Sequence, residues 1–326
     1  MQRRTLAGGI GLVALVILVG GLAFVQSRER DLPGRPDPDR SPDTSLAPVT
    51  PFSHAYLIVL ENRSPSEILG SGDAPYIDSL VARYGSASDY HALLHPSQPN
   101  YLALFSGSLQ GVADDEHHDL AGRTLADQLE AKGRTWRVFA ENYPGGCFTG
   151  QTASGGADGP GTYARKHNPA ISFTSISSNP ARCANITDLS HFDPAAADFE
   201  MIVPNLCHDM HDCSVAEGDA WLKGFVPRIL GSPAWRDGGA LFITFDEGEK
   251  KQQDGNRVLT VVVAPQVKPG FKSTVKYTHY SLLRTIQQAW DLGCLEESCE
   301  ANDMVEFFGG RGGQDGLGGP SPTASP

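Results

Sequence analysis

With 326 residues, 40% hydrophobic, 20% charged and 8% aromatic, the chain has the composition of a folded protein, not of a disordered polymer, a coiled coil or a multi-span membrane protein. The formal net charge is −12; the first forty residues contribute +2 through six Arg and four acids, so the remainder carries −14. A body that acidic repels nucleic-acid backbones and anionic membrane surfaces, which argues against either as its main partner and raises the question of whether some of the acids gather a cation.

Arg3 and Arg4 precede an uncharged run, residues 6–25, long enough to cross a bilayer as one helix. Only Gly21-Leu22-Ala23 resembles a cleavage signal, so residues 1–26 read as a transmembrane anchor, or as a signal segment if they are cut. Only five residues precede the span, which favours a body outside the cytoplasm, anchored to the cell membrane or secreted after cleavage. Residues 27–52, rich in Pro, Asp, Arg and Ser, read as a disordered linker. The Gly, Pro and Ser of residues 309–326 read as a disordered tail, which leaves 53–308 as one folded domain.

Within that domain, five short apolar runs rich in β-branched residues are expected to be buried strands: Ala55–Leu60, 135–140, Phe199–Val203, Ala240–Phe245 and 258–264. Their near-continuous apolarity suits a parallel sheet covered on both faces. Residues 76–84, 124–132, 219–230 and 280–292 place apolar side chains three and four apart and are expected to be helices, with Gly133 and Gly293 as stops for two of them. Strands alternating with helices predict an α/β fold with a mostly parallel central sheet flanked by helices. The Gly-rich stretch 145–161 reads as an excursion loop. Six cysteines fall as near neighbours, and in a chain with an export segment three disulfides are expected: Cys207 with Cys213, Cys294 with Cys299, and Cys147 with Cys183.

Ligands of open α/β sheets bind beyond the carboxyl ends of the strands, and polar groups collect there. Glu61-Asn62-Arg63-Ser64 follows the first strand, Glu141-Asn142 the second, Pro204-Asn205 the third and Asp246-Glu247-Gly248 the fourth. Glu61, Asp246 and Glu247 with Asn62 would form an all-oxygen site of the kind hard divalent cations prefer, or else cap helices and loops. In His95-Pro96-Ser97-Gln98-Pro99-Asn100-Tyr101 a helix is expected to begin, with Pro99 in its first turn. Ser97 would then stand at an anion-attracting N-terminus, placed to attack a phosphoryl group, or merely cap the helix. His167, His211 and His279 each lie in a polar cluster of an expected loop; His54, His91, His117, His118 and His191 read as ordinary hydrogen-bonding residues.

Taken with Ala164-Arg165-Lys166-His167-Asn168-Pro169, Pro204 to Asp212 and Thr278 to Ile286, these motifs resemble, in order and spacing, the bacterial phosphoesterase family of secreted acid phosphatases and phospholipases C. The family belongs to the alkaline phosphatase-like superfamily, and the likeness runs over residues 55–292. It implies that Glu61, Asn62, Asp246 and Glu247, together with Ser97, hold one divalent metal ion (Ca, Mg, Mn or Zn). It also implies that Ser97 is the nucleophile, that His167 and His211 hold phosphate oxygens or protonate the leaving group, and that His279 is a further site residue. Asn100, Arg165 and Asp209, which stand in the same motifs, are expected at the substrate. Pro65-Ser66-Glu67 replaces the Phe-Asp-His that phospholipase C members show after Glu-Asn-Arg-Ser, which favours the acid phosphatase branch. The implied activity is metal-dependent hydrolysis of phosphate monoesters. The alternatives are a phospholipase C-type phosphodiesterase acting on lipid headgroups and a non-catalytic, surface-anchored binding protein. The implied partner is a phosphate-ester small molecule or lipid headgroup, with membrane contact through the N-terminal segment alone and neither a nucleic-acid surface nor a protein partner evident.

Overall fold

The computed structural model describes residues 52–154, 162–250 and 254–309; the expected anchor, the linker up to residue 51 and the tail beyond residue 309 lie outside them. Among the described residues no helix is long and apolar enough to cross a membrane. An eight-stranded sheet organises the body. Its strands in chain order are β1 (Ala55–Leu60), β2 (Gly85–Ala87), β3 (Trp136–Ala140), β4 (Ile186–Asp188), β5 (Phe199–Val203), β6 (Ala240–Phe245), β7 (Thr260–Val263) and β8 (Phe271–Ser273). In space they run β8-β2-β7-β6-β1-β5-β3-β4.

The parallel block is β6-β1-β5-β3-β4. Every residue of β1, β5 and β6 is buried, so both faces of the sheet are covered, as their unbroken apolarity requires. The fifth expected strand corrects the pattern. β7 pairs antiparallel to β6, and among the described residues between them there is no crossover helix of the kind a parallel connection needs. Two groups of helices pack around the sheet. In one, α1 (Pro75–Arg83) meets α4 (Val215–Leu230). In the other, α2 (Ser97–Ser106) meets α3 (Leu125–Ala131) and α5 (His279–Ala289). α4 begins four residues before its apolar pattern, since Ser214 and Glu217 form a reciprocal capping box that extends it backwards. The three expected disulfides, Cys147–Cys183, Cys207–Cys213 and Cys294–Cys299, are present.

One acid inside the sheet is unrelated to the strand ends. Glu200 of β5 is fully buried beside Tyr56 of β1, accepts the Ala197 N–H at 3.1 Å through Oε1 and leaves Oε2 without a hydrogen bond. Burial pushes its pKa up to about 8. Below pH 4.5 the carboxyl is protonated in both folded and unfolded chains; between 4.5 and 8 only the unfolded chain ionises, so stability falls as pH rises through that window. Glu200→Gln keeps the Oε1 acceptor and removes the titration. In urea melts the variant is expected to match the wild type at pH 4.5 and to exceed it at pH 8 by on the order of a few kcal/mol.

Candidate active site

Parallel pairing decides where the acids go. Leu60 of β1 lies opposite Phe245 of β6, so Glu61 and Asp246 leave the sheet side by side at its carboxyl edge. The backbone locks this arrangement: Asp246 N–H donates to Leu60 O at 2.9 Å, and Asn62 N–H donates to Asp246 Oδ1 at 3.1 Å. On the other side of β1, the loop after β5 returns to the same edge, where Glu61 N–H donates to Asp209 O at 2.8 Å. Glu61, Asp209, Asp246 and Glu247 thus converge in the interior, none more than 2% exposed.

The nucleophile candidate arrives on a helix. Ser97 is the first residue of α2, with Pro96 before it and Pro99 in the first turn. Positions i and i+4 share a helix face, and here that face grips one carboxylate. Ser97 Oγ donates to Glu61 Oε2 at 3.1 Å, and Tyr101 OH donates to Glu61 Oε1. Asn62 Nδ2 adds a donor to Oε2 at 2.9 Å, leaving its own Oδ1 for other use. Tyr101 also stacks on His167, with ring centroids 5.1 Å apart and planes within 11°.

A cleft of about 360 Å³ opens over Ser97, lined by Asn62, Arg63, Asp115, Lys166, His211 and Glu247 among others. His211 bonds Asp212 Oδ1 through Nδ1 at 2.7 Å, so Nε2 is the nitrogen it has to offer the cleft. Lys166 Nζ lies 3.0 Å from Asp115 Oδ2. Arg63 donates to Met210 O at 2.7 Å and so ties the loop after β1 to the Cys207–Cys213 loop that carries His211.

Several expected roles change. Arg165 and His167 share a short 3-10 turn with Lys166, but only Lys166 lines the cleft. The fully buried Arg165 donates to His118 O at 2.7 Å through Nη2 and does not line the cleft, while its Nε and Nη1 have no hydrogen-bond partner among the described residues. Asn100 is equally buried, spent on holding Leu93, Leu94 and Pro96 in place before Ser97. His279 has both nitrogens engaged, Nε2 with Asp246 O at 2.6 Å and Nδ1 with Tyr90 OH at 3.2 Å, so it positions Asp246 and does not reach a substrate. His167, 1% exposed, sits between Glu61 Oε1 at 3.4 Å and Asp209 Oδ2 at 3.3 Å; it and Asp209 belong to the floor of the site, not to its open face. The first turn of α2 is also less free than a bare helix start, because Asp115 Oδ1 already accepts the Gln98 N–H at 2.9 Å.

The floor carries four carboxyl groups, with two ammonium groups nearby, Lys166 and Lys250. Burial, followed by the charges of Asp246 and Asp209, drives the Glu61 pKa far above the usual carboxylate range; burial holds Asp246 at about 6 and, with Asp246, lifts Glu247 to about 8. Burial also keeps His167 neutral, well below its ordinary pKa. Asp246 Oδ2 is buried without a hydrogen-bond partner among the described residues, Asp209 Oδ2 and His167 Nε2 have only the long contacts just given, and Glu247 Oε2 lies 2.8 Å from His95 Nδ1. Buried acceptors left unpaired or poorly paired are costly. Glu61, His167 and Asp209 each direct one donor atom to within 4.8 Å of the others. Expected ligands Asp246 and Glu247 adjoin that group without belonging to it; the mainly carboxylate donor set fits a divalent cation, which would neutralise the repulsion and satisfy the poorly paired oxygens. Sequence reasoning had Lys166 only as a member of the Arg165–His167 motif and did not single out Tyr101, Asp115 or the Gln98 N–H; the spacing of Tyr101 four residues after Ser97 was the readable signal for the first of these.

A profile of the Phosphoesterase family matches residues 67–293. A Mycobacterium tuberculosis protein named phosphatidylinositol-3-phosphatase is 31% identical over 261 residues, covering 79% of this chain and 83% of its own. A probable acid phosphatase of Kluyveromyces lactis is 30% identical over 252 residues, covering 74% of this chain; the chain spans only 59% of that relative. Among solved structures, a protein in the alkaline phosphatase superfamily from Vibrio parahaemolyticus aligns with a TM-score of 0.50 over 82% of this chain and 74% of its own, at 14% identity, a likeness of fold alone.

The electrostatics of the floor generate a paired expectation for Asp246→Asn. Losing even an outer-shell partner weakens a metal site about 10–100-fold, so this variant should hold a divalent ion at least about tenfold more weakly, as read by elemental analysis after dialysis. In chelator its thermal midpoint should rise above that of the wild type, because one repelling buried charge is gone. A variant that retains the ion, or that is destabilised in chelator, would contradict this account.

Proposed function

The chain belongs to the Phosphoesterase family, which makes it a phosphoester hydrolase, and we propose that it cleaves phosphate monoesters through a phosphoseryl intermediate on Ser97. The observation that carries the proposal is the placement of Ser97 Oγ: it heads a helix, opens on the cleft and is oriented by Glu61 Oε2 at 3.1 Å. Glu61, Asn62, Asp246 and Glu247 would hold a divalent cation beside Ser97, which when bound supplies positive charge that favours the serine alkoxide and the phosphoryl oxygens.

The chain's own groups perform the rest. Lys166 and Arg63 line the cleft as cations for the phosphoryl oxygens, and their charge is worth most at the pentavalent geometry, where negative charge on those oxygens is greatest. Ser97 Oγ gives its proton to Glu61 Oε2 and bonds to phosphorus as the ester oxygen leaves on the opposite side; His211, which lines the cleft, as an imidazolium gives that oxygen a proton from Nε2. In the second half, the neutral His211 takes a proton from water as the water oxygen bonds to phosphorus, and Ser97 Oγ departs with the proton returned by Glu61. Tyr101 and Asn62 hold Glu61, and Asn100 holds the turn before Ser97, so the geometry is set before a substrate arrives.

The M. tuberculosis relative is named for a phosphomonoester carried on a lipid. We extend this to a lipid-borne or soluble monoester as substrate here, and take residues 1–26 to tether the domain outside the cytoplasm, at a membrane surface. Ser97→Ala should lower hydrolysis of p-nitrophenyl phosphate at least about 10³-fold while leaving the fold intact, and EDTA should abolish the wild-type rate. Acid-quenched wild type should carry phosphoserine at residue 97. Faster turnover of bis-p-nitrophenyl phosphate than of the monoester would instead favour the phosphodiesterase.

A further inference from the structure

We infer that Asp115 is a specificity-determining residue: a resident carboxylate that competes with phosphate for Lys166 and for the first turn of the nucleophile helix, and so keeps the cleft from retaining its own product. The inference rests on the phosphomonoesterase reading. Asp115 lies on the cleft wall with Ser97 and Lys166 and is partly exposed there. Oδ1 accepts the Gln98 N–H at 2.9 Å, one of the donors a helix start presents to an anion. Oδ2 takes the Lys166 ammonium at 3.0 Å. The carboxylate therefore occupies two groups that a phosphate would seek.

Its placement is rigid. Gln98 Nε2 donates to Asp114 O at 3.1 Å and to Glu116 O at 2.9 Å, so the residue after the nucleophile holds the peptide on both sides of Asp115. Asp114 Oδ1 in turn accepts the Glu116 N–H at 3.0 Å and lies 2.6 Å from His118 Nε2. An acid held this tightly against the helix start is paired with the site and not with solvent. Chemistry supplies the reason. A cleft built for a phosphoryl dianion, with Arg63, Lys166 and Lys250 on its walls, also binds inorganic phosphate, and slow product release caps turnover. One fixed negative charge weakens both substrate and product binding.

Asp115→Asn keeps the Oδ1 acceptor for Gln98 and frees Lys166. By the Coulomb attraction of one charge at a few ångströms near a protein surface, it should tighten inorganic phosphate about tenfold. The test is isothermal titration of the full chain, loaded with divalent ion, with inorganic phosphate. It is paired with phosphate inhibition of p-nitrophenyl phosphate hydrolysis, for wild type, Asp115→Asn, Asp115→Ser and each of these in a Lys166→Met background. The expected result is a lower dissociation constant and a lower KM in both Asp115 variants without a rise in kcat, and a smaller tightening in the Lys166→Met background, where only the helix start and the lost negative charge remain to contribute. Phosphate affinity that is unchanged or weaker in folded Asp115→Asn and Asp115→Ser, or a tightening just as large without Lys166, would overturn the inference while wild-type turnover leaves the phosphomonoesterase reading standing. A wild type that neither hydrolyses the ester nor binds phosphate removes both.

Discussion

The repulsion among Glu61, Asp209, Asp246 and Glu247 is the constraint around which the structure is arranged. Four buried carboxyl groups that feel one another's charges at one sheet edge cannot all remain ionised without a cation. β1 and β6 run parallel and in register, so their terminal acids emerge together whether or not that is electrostatically favourable. The unbroken apolar strands of the sheet set the positions, and the acids at their ends bear the consequence. This is the inverse of a surface charge cluster, where side chains splay into solvent until repulsion is screened.

Everything near the edge serves to hold those carboxylates in one geometry. α2 grips both oxygens of Glu61 with Ser97 and Tyr101, one helical turn apart. α5 delivers His279 to the Asp246 carbonyl through a two-stranded pairing of Tyr90–His91 with Tyr277–Thr278 that leads into its first turn. The Cys207–Cys213 loop carries Asp209 beneath His167 and His211 onto the cleft wall, and Arg63 clamps that loop to the residues after β1. α2 and the Cys207–Cys213 loop each supply one residue that lines the cleft and at least one that orients the site, while α5 supplies an orienting residue. Such doubling is what catalysis by preorganised charge requires, since the charges must already be placed when the transition state forms.

The sheet was legible because its evidence is local. Apolar runs announced β1, β5 and β6 at their observed limits, and polar residues immediately after them marked the functional edge. β2, β4 and β8 were invisible, being three residues each and dependent on neighbours for their pairing. The antiparallel course of β7 was equally hidden, since it depends on the loop before the strand and not on the strand's own composition. In the site, acids and Ser97 could be named from their position at strand ends and at a helix start. The direction in which a side chain points could not. A 3-10 turn rotates successive residues by about 120°, so Arg165, Lys166 and His167 face three ways, and only the packed structure shows that Lys166 takes the cleft.

That rotation also bears on the acidic surplus of the chain. A body of −14 cannot draw a phosphate ester toward itself by its bulk field, and the field beyond about 8 Å is screened at physiological salt in any case. Attraction must therefore be generated inside the cleft, from a few cations set against many acids. Lys166 is the pivot: it faces Asp115 on the wall at 3.0 Å and feels Glu61 and Asp246 below. Burying Arg165 against the His118 carbonyl instead of exposing it leaves the cleft one cation poorer than its motif suggests. On the proposed reading of Ser97, that balance would serve to orient a phosphoryl group and still let phosphate go. An acidic protein can therefore act on anionic esters when the sign of the potential is set over a few ångströms by which side of a short turn each residue faces.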